Sequence, residues 1–231
     1  MVVQAREGRL TGSVSPTHPP RVLVATAVPA ERDAVAGRLP PYADAVAVGV
    51  GPAAAAAHTA AALARTPYDL VVSAGIGGGF APGAPLGSLV FADEITAADL
   101  GAETPDGFLP VTELGFGAVT HRPPPSLVRD LAAACGGLTG AVLTVSTVTG
   151  SAERAAGLRR RHPSALAEAM EGFGVAEAAA AFTLPVLEIR AVSNAVGPRD
   201  RAAWRIGEAL GALGDAFGKC APVLESWNRH D

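Results

Sequence analysis

Four short stretches put residues capable of chemistry beside apolar runs. Glu31 follows RVLVATA, Gly75-Ile76-Gly77-Gly78-Gly79 follows YDLVVSA, Met170-Glu171-Gly172 precedes an alanine-rich segment, and Ser193-Asn194 ends LEIRAV. In open α/β sheets ligands bind beyond the carboxyl ends of the strands, so such residues converge on one site. Two carboxylates there would stabilise developing positive charge, and one of them could take a proton from water. An amide such as Asn194 offers an N–H to one acceptor and a C=O to another donor at once. Each stretch also has a plainer reading. Glu31 fits a carboxylate complementing a helix N-terminus, the glycine run a tight strand exit, and Met170 core packing. Glu171 is less easily dismissed, because burying a carboxylate without donors is costly. The run Arg159-Arg160-Arg161-His162 reads as a solvated helix end.

The elements that must hold these residues alternate between strand and helix. Residues 1–20 carry Gly8, Gly12, Pro16, Pro19 and Pro20 with few large apolar groups, which predicts a flexible arm ahead of one folded domain over 21–231. RVLVATA predicts a strand, Glu31–Leu39 a helix, ADAVAVGV a second strand, and Ala53–Arg65, behind Pro52, a second helix. YDLVVSAG is continuously apolar rather than alternating, the pattern of a strand covered on both faces. GSLVFADEITAADL predicts another strand, and Gly101–Pro125, dense in Pro, Gly and Thr, a long excursion over the site. GAVLTVSTVTG then predicts a strand, Ser151–Arg161 a helix, SALAEAM a strand, Gly172–Phe182 a helix and Val186–Val192 a strand. Asp200–Phe217 predicts a last helix, with Trp204, Ile206, Leu210, Leu213 and Phe217 at roughly helical spacing. This order implies an α/β fold with a largely parallel sheet.

Composition narrows the partners. A formal net charge of −4 over 231 residues provides no basic face for nucleic acid, so a small molecule is the expected partner. Cys135 and Cys220 lie far apart in sequence and outside metal-ligand spacing, which reads as reduced thiols in a cytoplasmic protein, with neither disulfide nor metal. AAAAAHTAAALA is interrupted by His58 and Thr59 and flanked by Pro52 and Pro67, so it predicts a soluble helix rather than a membrane span. The N-terminus shows no charged start leading into an apolar core, so no secretion signal is expected. The glycine run has neither dinucleotide-loop nor P-loop spacing, and no cofactor is expected.

In order and spacing these features resemble the nucleoside phosphorylase and methylthioadenosine nucleosidase superfamily over roughly residues 21–220. VGVGPAAAAAHTAAALARTPYDLVVSAGIGGGFAPGAPLGSLVFADE is similar to that family's strand, helix, strand and glycine-rich loop, and AEAMEGFGVAEAA to its Met-Glu ribose motif. The resemblance implies a three-layer sandwich: a central, mixed but mostly parallel twisted sheet flanked by helices. It gives Glu31 the role of orienting the attacking water, Met170 that of packing on the sugar, and Glu171 that of gripping the ribose hydroxyls. Val148 and Thr149 match positions that line the base, and Ile76, Gly77 and Gly78 belong to the same substrate-binding set. It also implies a homodimer or higher homo-oligomer, with Gly101–Pro125 the candidate loop for a neighbour's pocket.

Asn194 departs from the pattern, since adenosine-specific members carry an aspartic acid there to deliver a proton to N7. An amide donates to a carbonyl at purine position 6 and accepts from N7–H, so Asn194 favours a 6-oxopurine. SNAVGPRDRAAW is thereby similar to the futalosine hydrolases, which remove hypoxanthine from futalosine on a route to menaquinone. The distal part of futalosine is a carboxylated aromatic ketone, and Arg199 and Arg201 match a carboxylate in geometry; both equally fit salt bridges beside Asp200. Phosphorylase relatives hold phosphate with arginines near the first turn and before the glycine-rich loop, where this chain has Arg32 alone and Ser73-Ala74-Gly75. Water is therefore the expected nucleophile. A phosphorylase, an adenosine-type nucleosidase and a non-catalytic nucleoside-binding module remain the alternatives on this scaffold.

Overall fold

The computed structural model describes residues 19–227, so the expected N-terminal arm falls almost wholly outside it. In chain order the first elements are β1 (Val22–Thr26), α1 (Pro29–Ala36), β2 (Ala43–Ala47), α2 (Pro52–Leu63), β3 (Leu70–Gly79) and β4 (Leu89–Ala97). A hairpin of β5 (Gly101–Thr104) and β6 (Gly107–Pro110) and the short β7 (Thr120–His121) follow, then α3 (Pro125–Cys135) and β8 (Leu138–Thr144). The chain continues through α4 (Ala152–Arg161), β9 (Ala165–Ala169), α5 (Gly172–Ala181), β10 (Val186–Ala195) and α6 (Ile206–Ser226).

The continuous apolar runs become strands buried on both faces. In β1, Val22 and Val24 pack with α1, α3 and α6, while Leu23 and Ala25 pack with α2 and α5, as the two-residue period of a strand requires. β2, β1, β3 and β10 run parallel in that order. β4 is antiparallel to β10 and is followed by β8 and β9. β9 then returns to β3 through Gly78–Glu168 and Gly79–Ala167, so five strands close into a ring. The result is the three-layer α/β arrangement, mixed and mostly parallel, with the ring closure added. α4 covers a smaller core in which Leu158 meets Phe80, Leu143 and Val145.

Three expectations change. Gly75–Gly79 is not a loop or a strand exit but the second half of β3; its glycines answer crowding from neighbouring strands, not a turn. A Cβ on Gly79 would lie 2.6 Å from Val192 Cγ1 of β10, and one on Gly77 would lie 2.9 Å from the Glu168 carbonyl oxygen of β9. The last helix starts at Ile206, because Asp200 accepts from the Ala202 amide to make a separate short turn and Trp204 is extended. Residues 101–125 form the hairpin and β7 rather than cover over the site, with Phe108 beneath the Arg161 guanidinium. α3 was not expected at all. Cys135 and Cys220, distant in sequence, are free thiols with their sulfurs 3.4 Å apart between α3 and α6.

Candidate active site

The carboxyl ends of β1, β3 and β10, with β9 across the ring, surround a cavity of about 190 Å³. Glu31 reaches it from the first turn of α1. One of its oxygens accepts from the Ala27 and Val28 amides at 2.9 and 3.3 Å, and the other from the Ile76 amide at 2.9 Å. The plain reading of Glu31 is therefore realised, since it caps its own helix, yet the same carboxylate is buried and lines the cavity. Three neutral donors fix it without cancelling its charge.

Glu171 enters at the start of α5. It accepts from the Gly51 amide at 3.2 Å and lies 3.4 Å from the Arg190 guanidinium. Gly51 presents that amide at φ 88, a conformation open to glycine and strained for any side chain. Arg190 is 1% exposed and sits behind the cavity. Its Nε donates to Glu188 at 2.8 Å and its Nη2 to the Ser73 hydroxyl at 3.1 Å. Burial opposes the arginine's charge, but Glu188, Glu171 and Glu31 together push its pKa up. Glu188 itself is pushed up by burial, against the pull of Arg190, and its second oxygen has no hydrogen-bond partner. Space for this cluster comes from Gly172, where a Cβ would lie 2.1 Å from Glu188 Oε2.

At the opposite wall Asn194 is oriented by its neighbours. Its Nδ2 donates to the Ala195 carbonyl at 3.1 Å and its Oδ1 lies 2.8 Å from the Ser193 hydroxyl. One amide N–H and one carbonyl lone pair remain for a ligand. Glu168, from β9, accepts from the Thr149 amide at 2.8 Å with one oxygen and from the Thr149 hydroxyl with the other. Burial pushes its pKa up despite both bonds.

Glu31, Ile76, Gly77, Gly78, Val148, Thr149, Met170, Glu171 and Asn194 all line this one cavity. Arg199 does not; its guanidinium lies over the ring of Trp204, 5.3 Å from the centroid, and it is Trp204 that reaches the cavity wall. Arg201 stacks on the same ring at 5.7 Å. No residue of 101–125 is among those lining it. Sequence reasoning missed Glu168, Glu188, Arg190 and Trp204. The signal for the Glu188 and Arg190 pair was two charges at alternate positions of an otherwise apolar strand, which places them on one buried face.

The phosphorylase superfamily profile matches residues 24–221. The futalosine hydrolase of Streptomyces coelicolor is 68% identical over 91% of this chain and 99% of its own length. That of Acidothermus cellulolyticus is 47% identical over 84% of this chain and 88% of its own length. Among solved structures, the 5'-methylthioadenosine/S-adenosylhomocysteine nucleosidase of Colwellia psychrerythraea, in complex with adenine, superposes with a TM-score of 0.76 at 20% identity, over 90% of this chain and 96% of that one. At that identity the likeness concerns the fold.

The buried cluster yields a stability prediction. Arg190→Met keeps the volume but leaves Glu188 and Glu171 without their cation, which costs about 3–5 kcal/mol. For a domain of this size that is a fall of roughly 10 °C in melting temperature. A thermal melt within 2 °C or so of the parent would remove Arg190 from the framework.

Proposed function

The chain belongs to the phosphorylase superfamily and, within it, to the futalosine hydrolases, and from that membership we propose the course of its reaction. It is an N-glycosyl hydrolase that cleaves futalosine to hypoxanthine and dehypoxanthine futalosine. The observation that carries a hydrolytic course is the charge of the cavity. Glu31, Glu168 and Glu171 line it, and among its described lining residues there is no lysine or arginine. A phosphate dianion finds no cationic partner there, whereas a neutral water needs none and finds carboxylates to accept its protons.

Breaking the bond from C1′ to N9 leaves positive charge on the ribose and sends the electron pair to the base. Glu171 grips the ribose hydroxyls and, with Glu31, stabilises the cationic sugar. Glu31 takes a proton from the water whose oxygen bonds to C1′. The base takes a proton from solvent water at N7 as it leaves, and Glu31 afterwards returns its own proton to solvent. Asn194 donates to O6 and accepts from that N7–H, while Met170 packs on the sugar and Ile76, Gly77, Gly78, Val148 and Thr149 shape the pocket. Trp204 continues the wall, so the distal aromatic acid of the substrate runs past its ring toward Arg199. We also infer a cytoplasmic homo-oligomer. Its support is that no described helix is long and apolar enough to cross a membrane, and that Leu114 and Phe116, in the 101–125 segment, expose 41% and 69% of their surface.

Three measurements test this reading. In phosphate-free buffer the protein releases hypoxanthine from futalosine and little or no adenine from methylthioadenosine; equal turnover of the two would overturn the role of Asn194. Glu31→Gln lowers kcat about a hundredfold or more with substrate affinity nearly unchanged, and an unaltered kcat would leave Glu31 a helix cap. Light scattering at assay concentration gives a mass of at least two chains. A monomer with full activity would refute the oligomer.

A further inference from the structure

One buried carboxylate in the cavity has no part in the chemistry above. Glu168 is 4% exposed, and the register of the ring fixes where it stands. Gly78 of β3 pairs with Asn194 of β10 on one side and with Glu168 of β9 on the other. The three residues therefore form one row across adjacent strands, with about 10 Å between the outer two at the usual strand spacing. Gly78 puts no side chain into the middle of that row, where a Cβ would already lie 2.9 Å from Val196 Cγ2 and 3.2 Å from Asn194 Nδ2. Glu168 and Asn194 both line the cavity, so a flat ring lying over Gly78 meets an amide at one edge and a carboxylate at the other.

We propose that Glu168 is the specificity-determining residue that accepts the N1–H of a 6-oxopurine while Asn194 serves its O6. The inference rests on the hydrolysis of a hypoxanthine nucleoside argued above and adds the second half of its base recognition. A lactam edge presents a donor at N1 beside an acceptor at O6, and an anionic acceptor opposite an amide N–H is its complement. Adenine reverses both positions, placing the N1 lone pair against a carboxylate. Thr149 supports this assignment, because its N–H and O–H occupy one lone pair on each Glu168 oxygen and fix the group in place. The Thr149 amide is thereby removed from contact with the base. Burial raises the pKa of Glu168 even with both Thr149 bonds formed, and a third donor, from the ligand, offsets that cost.

Calorimetric titration of the full chain with hypoxanthine, 1-methylhypoxanthine and adenine tests the inference without relying on turnover. The parent protein binds hypoxanthine at least tenfold more tightly than the other two. In Glu168→Gln the amide oxygen stays on the Thr149 N–H and the new NH2 group meets the Thr149 hydroxyl, so the variant keeps its fold. The ratio of hypoxanthine to adenine affinity then falls at least tenfold. Parent protein that binds 1-methylhypoxanthine within twofold of hypoxanthine, or that fails to bind hypoxanthine at millimolar concentration, overturns the proposal. So does a folded variant whose ratio is unchanged within twofold. Should the variant not fold, the methyl comparison on the parent decides alone. Hypoxanthine release from futalosine by a protein that fails the methyl comparison removes Glu168 and keeps the reaction. No release overturns the reaction, and the titrations still decide the role of Glu168.

Discussion

The site depends on one guanidinium buried in the middle of a sheet. Arg190 is the point at which β10, β3 and the start of α5 are electrically joined, through Glu188, Ser73 and Glu171. Taking such a charge out of water costs several kcal/mol unless the surrounding groups return it. Here they do so by geometry, with guanidinium N–H groups directed at Glu188 and Ser73 and the Glu171 carboxylate 3.4 Å away as an ion-pair partner. The arrangement in turn dictates sequence at positions that carry no charge. Gly172 is small because Glu188 needs its place, and Gly75 because a Cβ there would fall 2.6 Å from both Arg190 and Glu31. The N-terminus of α5 lies against Glu188, where the helix dipole favours an anion.

The glycine-rich half of β3 is the second constraint, and it follows from the ring. A sheet that turns back on itself through two residue pairs brings the carbonyls of one strand against the Cα atoms of the next. Side chains cannot occupy that seam. The glycines which in a sequence suggest a phosphate loop serve here to let β9 and β10 approach β3 closely enough for Glu168 and Asn194 to share one row.

Much of this was legible in the chain and some was not, for physical reasons. Strands such as β1 and β3 announced themselves as continuous apolar runs, since both of their faces are covered. The site residues at strand ends were legible because the α/β rule fixes where ligands go. Ring closure was not, since long-range register leaves no local period. Arg190 and Glu188 were hidden in a strand that is apolar by majority, although their i, i+2 spacing set them on one face. α3 carries the stripe Leu127, Val128, Leu131 and Ala132, but it opens on Pro125, which reads as the end of a loop when it is the first residue of a helix. Trp204 was read into a helix face, whereas the Asp200 turn releases it to the cavity wall.

The three cavity glutamates solve a common problem in different ways. Each must stay buried, and each must keep enough negative character to act on a ligand. Glu31 is held by three backbone amides, Glu168 by a threonine, and Glu171 by two amides and a shared arginine. Neutral donors orient a carboxylate without cancelling its charge, so the wall facing the ligand remains acidic. A lysine or arginine in the lining would have held these groups as firmly, but it would also have neutralised the wall and offered phosphate a partner. In the proposed reaction the charge that appears on the sugar is positive and transient. An acidic cavity braced by backbone amides is already in place when that charge forms, and no reorganisation is needed at that moment. The one cation of the cluster stands behind the wall, where it steadies Glu171 and Glu188 without meeting the substrate's charge.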